Sequence, residues 1–370
     1  MEGINISSYL PNKKLKVALT YNVKPEEKNF SDTIPLSLHE KPKETFPEGM
    51  DSHNDTYAEW DTIETINALR DALELFHDVT MIEANENAFE NFKTTRPDIV
   101  FNVAECANGI SREAQIPAML DMLQIPYTGS DPLTLTTCLD KARTKEILSY
   151  HKIPTAKFLL VESISDLVNF NLDFPVMIKP VAEGSSKGIF NSSLVNNFAG
   201  LTERLETNLE TYKQPFLIEE FLPGREFTVA ILGNNSDTEV LPIVEINLHE
   251  LPKELAPIYS YEAKWIADTR ENPLNIFSCP ADINRTLYEK IENIALKTYK
   301  VLRCKDWSRV DVRLDASGEP NIIEVNPLPG ILPDPKDNSC FPKAARVHGL
   351  SYEEMINKVL LTAAKRYNLL

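Results

Sequence analysis

Between Trp307 and Asn326 the chain carries an alternation of polar and apolar residues that could hold a divalent cation. Ser308-Arg309-Val-Asp311-Val-Arg313 reads as a half-buried strand, Asp315-Ala-Ser-Gly318 as a turn, and Pro320-Asn-Ile-Ile-Glu324-Val-Asn326 as the returning strand. Side chains two apart share a face, so Arg309, Asp311 and Arg313 align on one strand and Glu324 and Asn326 on the next. Two carboxylates and an amide oxygen converging across a hairpin suit Mg²⁺, which completes its octahedron with water and phosphate oxygens. The competing reading is a solvent-facing set of cross-strand ion pairs. An amide running into the rigid loop Asn326-Pro-Leu-Pro-Gly330 favours the site.

Three further segments could handle a nucleotide. Pro175-Val-Met-Ile-Lys179 ends an apolar strand on a lysine, and Glu183-Gly184-Ser185-Ser186-Lys187-Gly188 follows as a loop of small residues. Such a loop offers a row of backbone N–H groups to phosphates, although its spacing is not that of a Walker A loop; a plain Ser/Gly turn is the alternative. Phe216-Leu-Ile-Glu219-Glu220-Phe221-Leu222 and the following Glu226 set carboxylates beside an apolar link between two units. That combination can wall a purine and accept from ribose hydroxyls, or be an ordinary charged linker. Tyr259-Ser-Tyr-Glu-Ala-Lys264-Trp265 could bring a lysine and aromatics over a site, or form a surface strand.

The elements that must position these groups alternate in type. A strand at 16–21 precedes a polar, proline-rich insertion over 24–55. Asp55 is then expected to cap a helix over 57–76, with Trp60, Ile63, Ile66, Leu69 and Leu73 on one stripe. A strand at 79–83, a polar helix near 85–93, a buried strand at 98–103 and a helix at 111–123 complete a parallel α/β unit. Strands near 156–161 and 175–179 and a helix over 197–212 form a second unit. Strands at 226–232, 239–246 and 307–326, a helix over 282–302 and a closing helix over 351–366 form a third. Adjacent strands there imply an antiparallel sheet, so the chain is α/β and α+β. The expected boundaries are 1–137, 138–215 and 216–370.

At about 150 residues per domain, 370 residues give two or three domains. The net charge of −17 disfavours nucleic acid and anionic membrane as partners. No run of 18 apolar residues is present, and Met1–Leu10 lacks a charged-then-apolar leader pattern. The five cysteines at 106, 138, 279, 304 and 340 are dispersed, with no C-x-x-C, which fits a reducing cytoplasm better than a disulfide framework or a zinc site.

In order and spacing, these segments resemble the ATP-grasp superfamily in its D-alanine–D-alanine ligase branch. The resemblance rests on Ile125-Pro-Tyr-Thr-Gly-Ser130, Asp140-Lys141, Ile178-Lys-Pro180, Glu183-Gly-Ser-Ser186, Glu226-Phe-Thr-Val229, Tyr261-Glu-Ala-Lys264, Arg309-Val-Asp311 and Glu324-Val-Asn326. It implies a three-domain fold with ATP gripped between the central and C-terminal units. By motif position Lys141 and Lys179 would meet the phosphates, and Glu183, Gly184, Ser185 and Ser186 would cover them. Glu219, Glu220, Phe221 and Leu222 would form the adenine hinge, with Glu226 at the ribose and Lys264 at the γ-phosphate. Asp311, Glu324 and Asn326 would bind two Mg²⁺, with Mn²⁺ able to substitute, while Arg309 and the Gly330 N–H would stabilise an oxyanion. The implied chemistry phosphorylates a carboxylate, and an amine then attacks the acyl phosphate. A homodimer is implied as well.

The departures fall where the family holds its amino acids. The family's glutamate after the first strand, which joins the loop serine (Ser185 here) and a tyrosine (Trp265 here), is replaced by the insertion beginning Tyr21-Asn-Val-Lys. The His-Gly-x-x-Gly-Glu segment becomes Ala104-Glu105-Cys-Ala-Asn-Gly-Ile-Ser-Arg112-Glu113, and the second-substrate loop becomes Leu332-Pro-Asp-Pro-Lys336. Arg112, with Glu105, Trp265 and Tyr259 as further candidate substrate contacts, suggests an extra carboxylate on the first substrate. The expectation is an ATP- and Mg²⁺-dependent carbon–nitrogen ligase with specificity shifted from D-alanine. Formation of D-alanyl-D-alanine itself is one alternative, and joining an amino acid to mycosporine-glycine is another. A grasp protein that binds ATP without turnover, or an ATP-grasp carboxylase or phosphotransferase, are others.

Overall fold

The computed structural model describes residues 14–24, 57, 59–268 and 273–370. Its strands fall into three sheets, one for each unit expected above. The first is parallel, in the order β2 (Asp78–Glu83), β1 (Lys16–Tyr21), β3 (Ile99–Asn102). Alternation along β1 sends Val17 and Leu19 to one face, against Ile66, Leu69 and Leu73 of α1 (Ile63–Glu74) and Ile356 and Val359 of α9 (Tyr352–Arg366). Ala18 goes to the other face, with Phe92 of α2 (Ala88–Thr95) and Ile116 and Leu120 of α3 (Gln115–Leu123). Both faces are thus covered, as a parallel sheet requires.

The second sheet is antiparallel, β4 (Phe158–Val161), β7 (Phe216–Glu220), β5 (Val176–Pro180), β6 (Leu194–Val195). Val176, Ile178, Phe216 and Ile218 pack on Leu201 and Leu205 of α6 (Phe198–Tyr212). The opposite face carries Leu217 against Ala142 of α5 (Lys141–Tyr150) and presents Met177, Lys179 and Glu219 to a cavity. Helix α4 (Pro132–Leu139) leads directly into α5, whose N-cap Asp140 accepts the Arg143 N–H at 2.9 Å. In the third sheet β10 (Val244–Ile246), β8 (Glu226–Leu232), β12 (Trp307–Leu314) and β13 (Pro320–Asn326) run antiparallel, with β11 (Phe277–Ser278) beside β10 and β9 (Glu239–Val240) beside β8. One face packs Phe227, Val229 and Val310 on Ile291 and Ala295 of α7 (Arg285–Val301). The other is apolar at Ala230, Leu232 and Trp307, under α8 (Cys340–His348), and turns polar at Glu226, Thr228, Arg309 and Asp311, where it opens into the cavity. No helix among the described residues is long and apolar enough to cross a membrane.

Several boundaries differ from the sequence expectation. The helix expected over 57–76 starts only at Ile63, capped by the Thr62 hydroxyl at 3.3 Å from the Thr65 N–H. Trp60 lies outside it, its indole N–H bonded to the Cys106 carbonyl; Asp55 lies outside the described residues. Of the insertion 24–55 only Lys24 is described, and its N–H bonds the Asp61 carbonyl at 2.8 Å. Strand Phe216–Glu220, expected in the C-terminal unit, is hydrogen-bonded between β4 and β5, so the middle unit extends past 215. The strand expected over 239–246 is interrupted between Val240 and Val244, around Pro242, whose ring removes a ladder donor. Segment Tyr259–Trp265 is not a surface strand: Glu262–Ala267 forms a π-helical segment with Ala263 fully buried.

Candidate active site

All three units line one cavity of about 330 Å³. Its floor is the β12–β13 hairpin. The register sets Asp311 opposite Glu324 and Arg309 opposite Asn326, so both carboxylates share the cavity face, and a bulge after Asp311 absorbs one residue of β13. Asp311 is fixed from three sides. It accepts from Arg309 Nη2 at 2.9 Å, Thr228 Oγ1 at 2.7 Å and Asn326 Nδ2 at 3.2 Å. Glu324 meets Lys141 Nζ at 2.8 Å. Burial works to raise the Glu324 carboxyl, but Lys141, Lys179 and Arg309 outweigh it and hold it below the usual carboxylate range. Asp311, Glu324 and Asn326 thus present hard oxygen donors on one surface, the chemistry a small divalent cation takes.

Further cations line up around this floor, and Lys179 and Arg313 are already paired. Lys179 is ion-paired with Glu219, which also holds Lys145; Lys145 further donates to Thr155 Oγ1 at 2.5 Å. Burial favours a neutral Glu219 carboxyl, yet the two ammonium groups prevail and lower its pKa. The Glu219 side chain therefore belongs to this lysine cluster while lining the cavity. Glu220, Phe221 and Leu222 line the cavity, and Glu220 also meets Lys157 at 3.1 Å. Glu226 pairs with Arg313 at 3.0 Å, and the Arg313 guanidinium lies 4.6 Å from the Phe221 ring centroid. Lys264 is half-buried, and burial, then Arg309 and Lys24, push its ammonium down to about 8.

The loop over the cavity is tied on both sides. Ser185 and Ser186 both have positive φ, at 50° and 61°, and Gly188 approaches Pro180 so closely that a Cβ would meet its ring at 2.5 Å. Lys141 Nζ donates to the Glu183 carbonyl, and the Glu183 carboxylate meets Lys187 at 3.2 Å and Gln214 at 2.7 Å. From the third unit Trp265 Nε1 donates to the Ser185 carbonyl at 3.0 Å, and Ser186 Oγ donates to the Tyr259 carbonyl at 2.9 Å. From the first unit Glu59 accepts the Gly184 N–H at 2.5 Å. Gly330 borders the cavity opposite this loop, its carbonyl accepting from Ser339 Oγ at 3.2 Å.

Of the substrate candidates, Glu105, Trp265 and Tyr259 line the cavity, and the Tyr259 hydroxyl donates to Asp268 at 2.7 Å. Arg112 does not stand free for a substrate carboxylate. It is 6% exposed, and its guanidinium is spent on Glu59, at 2.6 and 2.7 Å, and the Ala182 carbonyl at 2.8 Å. The first-unit wall instead shows Asp61, Glu105 and Glu113, none in an ion pair within 4 Å among the described residues. Burial pushes Asp61 and Glu113 up to about 7, and burial with three neighbouring carboxylates raises Glu105 well above the usual carboxylate range. Sequence reasoning passed over Lys145, Glu59, Asp61 and Lys24. Only Lys145 had a local signal, its i,i+4 spacing from Lys141 on α5.

A family model described as "D-ala D-ala ligase C-terminus" matches residues 147–361. An uncharacterized protein, y4sG, of Sinorhizobium fredii is 37% identical over 269 residues, 73% of this chain and 75% of that one. D-alanine–D-alanine ligase B of Clostridium perfringens is 32% identical over 257 residues, 69% of this chain and 77% of its own. The crystal structure of the D-alanine–D-alanine ligase of Bacillus anthracis complexed with ATP superimposes with a TM-score of 0.65. It covers 96% of this chain and 99% of that one at 20% identity, a likeness of fold.

Proposed function

This chain belongs to the D-alanine–D-alanine ligase family, ATP-dependent ADP-forming ligases of the ATP-grasp fold, and we propose that it forms a carbon–nitrogen bond between an amino acid and an acceptor other than the family's D-alanine pair. The observation that carries the reading is the meeting of Asp311, Glu324 and Asn326 with Lys141, Lys179, Lys264 and Arg309 around one cavity. Cations of that density suit a triphosphate, and the oxygen set suits Mg²⁺. When bound, Mg²⁺ would neutralise phosphate charge. Lys179 and Lys141 then hold phosphates from the floor, Lys264 from the third unit, and Glu183 to Ser186 keep water out from above. Arg309 and the Gly330 N–H, which line the same cavity, would stabilise the oxyanion formed when an amine attacks the phosphorylated carboxyl.

The altered substrate wall supports the shift in specificity. With Arg112 engaged elsewhere, Asp61, Glu105 and Glu113 leave that wall with surplus carboxylate, which suits an ammonium and disfavours an additional substrate carboxylate. Trp265, 37% exposed with Lys24 at 4.8 Å and Lys264 at 5.2 Å from its ring, narrows the other side. We place the protein in the cytoplasm, where ATP is supplied, and as a homodimer, which sedimentation tests. The function is tested by ADP release with Mg-ATP across D- and L-amino acids, singly and in pairs, with product masses recorded. Mycosporine-glycine is included as a non-amino-acid acceptor. A dipeptide of D-alanine as the preferred product would overturn the shift in specificity. ATP binding without ADP release under every combination would overturn the ligase reading.

A further inference from the structure

Arg313 is a buried cation of the cavity wall with no part in the chemistry above. Strand register sets it opposite Glu226, two residues beyond Asp311 on the same face of β12. That step carries it about 7 Å along the strand from the candidate metal set. The side chain is 7% exposed, and three contacts hold its plane. Nη1 donates to Glu226 Oε2 at 3.0 Å, Nη2 donates to the Pro257 carbonyl at 2.8 Å, and the guanidinium lies 4.6 Å from the centroid of the Phe221 ring. A guanidinium carries more N–H donors than these two bonds use, and Nε has no hydrogen-bond partner among the described residues. The bond to Glu226 engages Oε2 and leaves Oε1 without a partner among the described residues.

The donors left over on Arg313 and the acceptor left over on Glu226 describe what fits beside them. The pair is neutral as a whole, so it gives a phosphate little net attraction. Its complement is a neutral group that both donates and accepts. A hydroxyl gives its proton to the carboxylate and takes an N–H on its oxygen. Two hydroxyls on adjacent carbons do this twice against a planar, forked partner. Burial raises the Glu226 carboxyl, Arg313 opposes that rise, and Asp311 adds to it. The guanidinium thus also helps to keep Glu226 an ionised acceptor.

We propose that Arg313 is a specificity-determining residue for the nucleotide, donating to the sugar hydroxyls from which Glu226 accepts, so that the site selects a sugar with a vicinal diol over one without. The proposal rests on the reading, carried by motif position, that Glu226 meets the ribose. With Arg313 in place, a nucleotide lacking the hydroxyls leaves a buried donor and a buried carboxylate oxygen unpaired together. A site built to hydrogen-bond a hydroxyl rejects the analogue without it far more strongly than an apolar wall does.

Calorimetry on the full-length protein in Mg²⁺ compares ATP with 2′,3′-dideoxy-ATP and needs no turnover. Wild type should bind ATP about tenfold or more tightly than the dideoxy analogue. Arg313→Met should lower the affinity for ATP about tenfold and leave that for the analogue nearly unchanged, so the preference shrinks to a few-fold. A residue that only braced the strand would weaken both nucleotides alike and keep their ratio, and that result overturns the proposal. Because Arg313→Met leaves the Glu226 carboxylate buried without its cation and threatens the fold, Arg313→Lys is measured beside it. Lysine keeps a charge for Glu226 but not the planar fork, and its preference should fall between the other two. An unchanged preference in Arg313→Lys and in Arg313→Met overturns the proposal, as does a wild type with no preference. Glu226→Gln separates the proposal from the reading beneath it. If that variant loses the preference and the Arg313 variants keep it, Glu226 meets the ribose and Arg313 does not. If Glu226→Gln binds ATP as wild type does, the ribose reading itself is overturned.

Discussion

Replacing Lys145 by methionine tests whether the floor of the site is electrostatic design or incidental packing. Lys145 is 1% exposed and shares Glu219 with Lys179, so the three groups carry a net charge of +1 in a nearly dry pocket. Methionine keeps the length and apolar bulk and removes one ammonium. Breaking a buried pair outright costs about 3–5 kcal/mol. Glu219 keeps Lys179, and the repulsion between two lysines disappears, so about 2 kcal/mol of stability is the expected loss. The functional effect follows from what Lys179 must then do. As the sole partner of Glu219 it is held more tightly and is less available to phosphate, so the KM for ATP rises about tenfold, equivalent to about 1.4 kcal/mol. Urea unfolding and steady-state kinetics measure the two effects. Lys145→Met/Glu219→Leu returns the trio to a net +1, and both stability and KM should move back toward wild type. A double variant as impaired as the single one, or a single variant with unchanged KM, would refute this account.

Two predictions concern pH. Asp61 has its carboxyl raised from 3.8 to about 7, chiefly by burial, so ionising it opposes folding. Between those values the folded chain holds a proton that the unfolded chain has lost, and stability falls as pH rises. Asp61→Asn should therefore stabilise the protein at pH 8, by at most about 4 kcal/mol, and leave it unchanged near pH 4; thermal melts at both values decide. His77, with its pKa lowered by burial and then by Lys14, is 2% exposed and neither ring nitrogen has a hydrogen-bond partner. The unfolded chain takes up a proton more readily, so stability is full above about pH 6.5 and falls as pH drops below it. His77→Leu should flatten the decline in urea midpoint between pH 6.5 and 5; an unaltered slope would show that other groups drive it.

The legible part of this protein was the part written in short-range patterns. Alternation in β12 and β13 was enough to put Asp311, Glu324 and Asn326 on one surface, because strand period and a tight turn fix which side chains meet. The loop at 183–188 announced itself by glycines and serines in a chain with only 12 glycines. What escaped depends on contacts between residues far apart in sequence. Glu59 and Gly184 are 125 positions apart, and no local signal connects them. Arg112 illustrates the same limit from the other side. Its charge was visible and its meaning was misread, because the carboxylate that neutralises it lies 53 residues away, just after the insertion. Strand Phe216–Glu220 looked like the opening of the third unit because its apolar stretch read as a link between two units. Its hydrogen bonds to β4 and β5 are long-range choices that composition does not encode.

The pairing of cations with carboxylates across the site has a consequence for binding order. Lys141 is held by Glu324 at 2.8 Å and Arg309 by Asp311 at 2.9 Å, and both carboxylates belong to the candidate metal set. At an effective dielectric near 20 the direct attraction in the Lys141 pair is about 6 kcal/mol, most of it offset by desolvation. The net hold of about 1–2 kcal/mol is what a nucleotide must overcome to recruit Lys141 while Glu324 is unoccupied. Metal and nucleotide should therefore bind with positive coupling, and the coupling should run in both directions equally. Glu324→Gln removes the competitor along with a metal ligand, so its effects on the two ligands have opposite signs. In EDTA, where divalent cations are stripped away, the variant should bind ATP about tenfold more tightly than wild type by calorimetry. In excess Mg²⁺ the advantage should disappear and turnover should fall. If Glu324→Gln binds metal-free ATP no better than wild type, the Lys141–Glu324 pair is not holding the site in check, and the coupling must be sought elsewhere.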